Sequence, residues 1–262
     1  MPESSFQHNN EVLLHVEAEP RTGSCNMATD EHLLEAALAE GLKAVRMYRW
    51  IEPTVSLGYF QNSDAEVLRT KFKNIAAVRR LSGGGAILHH HELTYSLVLP
   101  ADDSLTKIPT ELYGRVHSAI IKVLGHFGAG CAMRGEDNAQ ADEPFLCFVR
   151  GDRHDIHCAG HKVVGSAQRR RKGAVLQHGS IILERSTHAP AIPGLIDLAE
   201  AFQVNTSKST QIDDLEIKLG KAIAASLGPV RGISNWPADA ASRVTELQAA
   251  HYDSIGRCHK SG

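Results

Sequence analysis

The sequence predicts an α+β fold with a central mixed, largely antiparallel sheet flanked by helices. Strand-like runs outnumber helical ones. They fall in hairpin-sized groups instead of the strict strand–helix alternation of a parallel sheet. Among them, residues 109–127 have a clear helical period.

Residues 27–41, MATDEHLLEAALAEG, read as a helix capped by Asn26, with Leu33, Leu34, Ala37 and Leu38 on its apolar face. Runs at 44–50 and 54–60 read as strands, and 64–72 as a polar helix. Strands near 76–80, 86–89 and 93–99 lead into the helix at 109–127, where Leu112, Val116, Ile120, Val123, Leu124 and Phe127 recur at helical spacing. Short strands at 145–149, 153–157, 161–168 and 173–183 come next. A helical region starts about Pro193, and helices at 210–226 and 238–250 complete the pattern.

Residues 1–262 read as a single domain. A hydrophobic share of 42% and a charged share of 22% suit an ordinary soluble protein. A net charge of −2 and aromatic content of 5% argue against a nucleic-acid partner. No apolar run is long enough for a membrane span, and the N-terminal residues lack the order of a signal peptide. Five scattered cysteines without a CxxC pair suggest a reduced, cytoplasmic protein.

Two segments carry chemistry. The first is RRLSGGGAILHHHELTYS, residues 79–96. Gly83, Gly84 and Gly85 let the backbone turn sharply and let a ligand approach it, and successive N–H groups in such a turn can face a polarised carbonyl. Neither nucleotide-binding glycine motif fits the spacing, and a plain hairpin would also use these glycines. The second segment, residues 147–183, holds Lys162 in a strand-like run between Gly160 and Gly165. That lysine either points into a cleft or is solvated on an edge strand.

Together the two segments resemble the biotin/lipoate protein ligase superfamily, and within it the lipoate-protein ligases and cysteine-dependent octanoyltransferases. SCNMATDEHLLEA and RMYRWIEPTVSLGYFQN, nearer the N-terminus, fit the same pattern, so the likeness covers roughly residues 20–190. The resemblance implies that superfamily's catalytic-domain fold, with a tunnel for a medium acyl chain. It implies that Gly83, Gly84 and Gly85 line the acyl group, bordered by Arg80, Ser82 and His89. Lys162 would reach the acyl carbonyl or carboxylate, and Gly165, Ser166, Gln177, His178 and Gly179 would complete the wall.

Two reactions run on this scaffold. A ligase makes an acyl-adenylate from free acid with ATP and Mg, and often carries a C-terminal accessory domain, for which the sequence ends too early at Gly262. An octanoyltransferase takes the acyl group from octanoyl acyl-carrier protein through its own thiolate, without a cofactor. It passes the group to a lysine of a lipoyl domain or a glycine-cleavage H-type protein. Cys147 lies fifteen residues before Lys162, where the Gram-positive type of octanoyltransferase has its nucleophile. Cys158 is the competing candidate, and a small buried hydrophobe is the ordinary role of a free cysteine. The sequence does not reveal what deprotonates the incoming amine; His89 and His178 are only candidates.

Two residues depart from the transferase pattern: Gly85 stands where arginine is frequent, and His90 where an aspartate usually follows the histidine. The second removes an acceptor for His89. The transferase is the expected activity, with the ATP-dependent ligase as alternative and a non-catalytic acyl-binding homologue a distant third. The triple His89-His90-His91 suggests a metal, but alternate strand residues face opposite ways and no second pair has ligand spacing, so no metal site is expected. Arg169-Arg170-Arg171-Lys172 reads as a solvated turn between strands or as a docking patch for acyl-carrier and lipoyl-domain proteins, both of which tend to be acidic.

Overall fold

The computed structural model describes residues 11–62, 66–135, 146, 148, 152–202, 204, 209–233, 235–236 and 238–253. Eleven strands form two sheets among them. The strands are β1 (Val12–Val16), β2 (Ala44–Tyr48), β3 (Thr54–Leu57), β4 (Ala76–Arg79), β5 (Ile87–His89), β6 (Glu92–Leu99), β7 (Cys131–Met133), β8 (Ile156–Cys158), β9 (His161–Arg171), β10 (Ala174–Ile182) and β11 (Val230–Gly232). The large sheet runs β11-β1-β2-β6-β10-β9-β8-β7 and the small one β4-β3-β5. Only β1 pairs in parallel within the large sheet, with β2 and β11; its other pairs are antiparallel. The predicted α+β architecture is the one observed.

Period-2 alternation sorts the central strands between two cores. On one face Val45, Met47, Tyr95, Leu97 and Val175 meet α3 (Pro109–His126) and α5 (Ser209–Leu227) through Leu112, Val116, Ile120, Leu219 and Ile223. On the other face Leu13, Ala44, Val98 and Leu176 meet α1 (Gly23–Glu40) through Leu33, Leu34 and Ala37. Each large apolar side chain buried this way contributes roughly 1.5–3 kcal/mol. Short helices α2 (Glu66–Thr70) and α4 (Leu195–Leu198) sit in connections, and α6 (Ala238–Leu247) packs on α1.

Several expectations need correction. Helix α1 begins at Gly23, capped by Thr22, whose hydroxyl accepts from the Cys25 N–H at 3.3 Å. Asn26 is therefore inside the helix and fully buried, its Oδ1 accepting from Arg46 at 2.8 Å. The first turn has no apolar residue at helical spacing to reveal it. The turn between β9 and β10 is only Lys172-Gly173; Arg169, Arg170 and Arg171 belong to β9. Residues 152–155 form a turn closed by the Asp155 N–H on the Asp152 carbonyl, so the strand there starts at Ile156. Strands β1, β7 and β11 had no counterpart in the sequence reading. Most of the expected strand at 145–149 lies outside the described residues; Leu146 bridges Ala86.

Candidate active site

A cavity of about 260 Å³ lies between the small sheet and the β6–β10–β9 part of the large one. Arg80, Gly83, Gly84 and His89 line one side, and Gly165, Ser166, His178 and Gly179 the other. Ser82, Gly85 and Gln177, also expected in the wall, support it from outside the lining. Met27, Tyr48, Trp50, Ile87, Tyr113 and Phe148 add apolar and aromatic surface to it. Sequence reasoning missed these apolar and aromatic members, which read simply as core.

Arg80 fixes the glycine loop. It is 2% exposed, and its guanidinium donates to the carbonyls of Ser56 at 2.9 Å, Gly83 at 2.7 Å and Gly85 at 2.7 Å. A buried cation needs this many acceptors, and the loop's carbonyls supply them. Gly84 has φ +91°, a conformation that favours glycine.

Lys162 owes its direction to a bulge. On β8, His157 pairs with Lys162 while the adjacent Ile156 pairs with Val164, so one extra β9 residue opposes the pair. Unbroken alternation would put Lys162 on the face of Val164, in the α3–α5 core. The bulge turns it to the opposite face, where its amine meets the Asp155 carboxylate at 2.9 Å and sits 5.1 Å from the Phe148 ring centre. Gly165 makes the room: a Cβ there would lie 2.6 Å from Lys162 Cε and 2.9 Å from Nζ. Burial pushes the Asp155 carboxyl above its usual range, against the pull of Lys162. Lys162 does not itself line the cavity; its amine lies against the wall at Gly165. Cys147 lies outside the described residues.

Three hydrogen-bonded chains stiffen the wall. His89 stacks on Trp50 at 3.8 Å, with Nδ1 against Glu92 Oε1 at 2.6 Å and Nε2 against Ser56 Oγ at 2.7 Å. Glu92 thus supplies the acceptor that His90 does not, and the geometry of His89 is intact. His178 Nε2 meets Ser82 Oγ at 2.5 Å while Nδ1 meets Asp30 Oδ2 at 3.1 Å. This order reproduces a Ser-His-Asp triad. However, Ser82 is 0% exposed, and Asp30 also holds Arg46 and Tyr48. The chain acts as a strut, and both ring nitrogens of His89 and of His178, the candidate bases, are engaged in these contacts while the two histidines line the cavity.

The third chain runs from β9 to α3. His117 Nδ1 faces the His154 carbonyl, which only accepts, and Nε2 meets Ser166 Oγ at 2.7 Å. Burial pushes the His117 imidazole down to about 4, so it is neutral, donates through Nδ1 and accepts from Ser166. Gln168 donates to Gln177 Oε1 at 2.8 Å, and Gln177 donates to the Tyr95 hydroxyl at 2.9 Å. With the Ser166 hydroxyl already donating to His117, Tyr95 donates to Ser166 across their 2.7 Å contact. The only sequence signal for His117 is a histidine beside Val116 in the apolar stripe of α3.

Cys158 belongs to the α3–α5 core, away from the cavity. His90 and His91 stack on each other and do not line the cavity. Among the described residues, no three His, Cys, Asp or Glu side chains form a group that could hold a metal ion. No helix among them is long and apolar enough to cross a membrane.

Comparison with known proteins matches residues 23–211 to the lipoyl protein ligase A/B catalytic domain. The octanoyltransferase LipM of Moorella thermoacetica is 40% identical over 164 residues, 60% of each chain. That of Brevibacillus brevis is 30% identical over 80% of this chain and 83% of its own. The match spans about 60% of the length of the first of these relatives. Among solved structures, lipoate-protein ligase A bound with ATP has a TM-score of 0.67 at 22% identity, covering 92% of this chain and 94% of its own. The bi-partite lipoate protein ligase of Thermoplasma acidophilum also gives 0.67, at 20% identity over 96% and 98%. These two share the fold. With the matched domain spanning more than half of its residues, the chain belongs to the lipoyl protein ligase A/B catalytic domain family.

Proposed function

We propose that this chain is an octanoyltransferase of lipoate biosynthesis, working in the cytoplasm without a cofactor. It moves an octanoyl group from acyl-carrier protein through a Cys147 thioester to a lysine of a lipoyl domain or glycine-cleavage H-type protein. One observation carries the reading: the Lys162 amine is folded over Gly165 in the wall of a largely apolar cavity, beside Phe148, the residue after Cys147. The LipM relatives support the same activity.

In the first step the Cys147 thiolate bonds to the octanoyl carbonyl carbon. The carrier's C–S bond breaks, and the departing thiolate takes up the proton that Cys147 gave. In the second step the acceptor lysine's amine attacks the same carbon, the C–S bond to Cys147 breaks, and the amine's proton goes to the released thiolate. Lys162, oriented by Asp155, stabilises the oxyanion in both steps. Amide is more stable than thioester, so no ATP is consumed.

Intact-protein mass spectrometry after mixing with octanoyl acyl-carrier protein, without ATP, tests this reading. The wild type should gain an octanoyl group that hydroxylamine removes, and Cys147→Ala should not. If no adduct forms, and Cys147→Ala still modifies a lipoyl domain given ATP, Mg and free lipoate, the protein is a ligase.

A further inference from the structure

Exposed apolar side chains and arginines that the reaction does not use adjoin residues of the cavity lining. Phe60 is 86% exposed, Tyr59 42% and Ile108 53%. Tyr59 and Phe60 sit on a turn that is held rigid. Arg79 donates to the carbonyls of Gly58, Tyr59 and Gln61 at 2.9, 3.1 and 2.6 Å. The Tyr59 N–H donates to the Ser82 carbonyl at 2.9 Å, tying the turn to the glycine loop. An exposed phenylalanine on a pre-ordered backbone loses little entropy when a partner covers it.

Strand β9 supplies the charge. Past Gly165, Ser166 and Gln168 in the cavity wall, it continues outward as Arg169, Arg170 and Arg171. Alternation sends successive arginines to opposite sides. Arg169 lies over the Tyr59 ring at 4.9 Å, while Arg170 bonds to the Thr106 carbonyl near Ile108. Gln168 donates to the Pro109 carbonyl at 3.2 Å, closing that side. Aromatic residues and arginine beside a functional cavity are the composition of a protein-binding surface.

Resting on the transferase reading above, we infer that Tyr59, Phe60, Ile108 and Arg169 form the docking surface for the acyl donor, a carrier protein whose thioester hangs on a phosphate-bearing arm. Both partner proteins tend to be acidic, so the reacting arm separates donor from acceptor. The donor's arm has a phosphodiester anion that must come close to the cavity as the acyl group enters. The acceptor arrives with a lysine, a cation that arginines repel.

Single-turnover acylation tests this with octanoyl acyl-carrier protein and with octanoyl-pantetheine, which lacks both phosphate and protein. Phe60→Ser and Arg169→Ala should each slow acylation by dilute carrier about tenfold. The Arg169→Ala defect should shrink as salt is raised, and the Phe60→Ser defect should not. Octanoyl-pantetheine should acylate both variants within threefold of wild type, and preformed octanoyl-enzyme should transfer to a lipoyl domain at its usual rate. Equal losses with octanoyl-pantetheine, a loss in the transfer step instead, or no loss at all would each overturn the assignment. A wild type that neither thioester acylates would remove the transferase reading itself.

Discussion

Replacing Gly165 by alanine tests the placement of Lys162 without touching that residue. The new Cβ would stand 2.6 Å from Lys162 Cε and 2.9 Å from its amine, where carbon contacts normally lie at about 3.5–4.0 Å. The obstructing atoms are the end of a flexible side chain, so the lysine should yield by about 1 Å and the strand should hold. The stability change should stay within about 2 kcal/mol, a few degrees in Tm for a domain of this size. Displacement of a transition-state donor by about 1 Å costs on the order of 100-fold in rate. Single-turnover acylation by octanoyl acyl-carrier protein, followed by mass spectrometry, reads that loss, and thermal melting verifies the fold. In a Lys162→Ala background the same substitution should cost almost nothing further, because the group it displaces is gone. A folded Gly165→Ala enzyme acylated within threefold of wild type would refute the reasoning, as would an undiminished loss in the double variant.

Gly179→Ala should act on stability instead: its Cβ would meet Ser166 Oγ at 2.4 Å, Tyr95 Cε1 at 2.7 Å and the Gly165 backbone oxygen at 2.9 Å, and the backbone atom cannot swing aside. A loss of about 3 kcal/mol in urea unfolding is expected, and a loss under 1 would contradict the packing. His117 should make the protein acid-labile. Its imidazole titrates at about 4 in the fold against an ordinary 6.5, so between those values the unfolded chain binds the extra proton and stability falls as pH falls. At about 1.4 kcal/mol for each pH step the full effect is about 3 kcal/mol. Between pH 7 and 5, urea unfolding of His117→Gln should lose about 2 kcal/mol less than wild type; parallel slopes would show that His117 does not titrate this way.

What the sequence made legible was whatever rests on local pattern. The stripe of α3 and the alternation of β6 and β10 are periodicities, and the glycine loop is a composition. What stayed hidden depends on distant partners. Asn26 looks like a cap until Arg46, on β2, is seen to hold it. Glu92 replaces an acceptor that His90 lacks, a substitution visible only once the β5–β6 turn brings it back to His89. Strand β11 has three exposed residues and exists because β1 has an edge to pair. Trp50, just past β2, and Tyr113, on α3, line one cavity only through packing between segments far apart in sequence.

The bulge in β9 has a further consequence. A strand ordinarily has a single phase, fixed along its length, so whatever points up at one end determines what points up at the other. Here the hairpin with β8 sets one phase and the pairing with β10 sets another, and the extra residue lets both hold. The Lys162 amine and the glycine that accommodates it therefore share a face although three positions separate them. The two can be adjusted independently: the length of the β8–β9 hairpin aims the lysine, while the central sheet keeps the wall where it is.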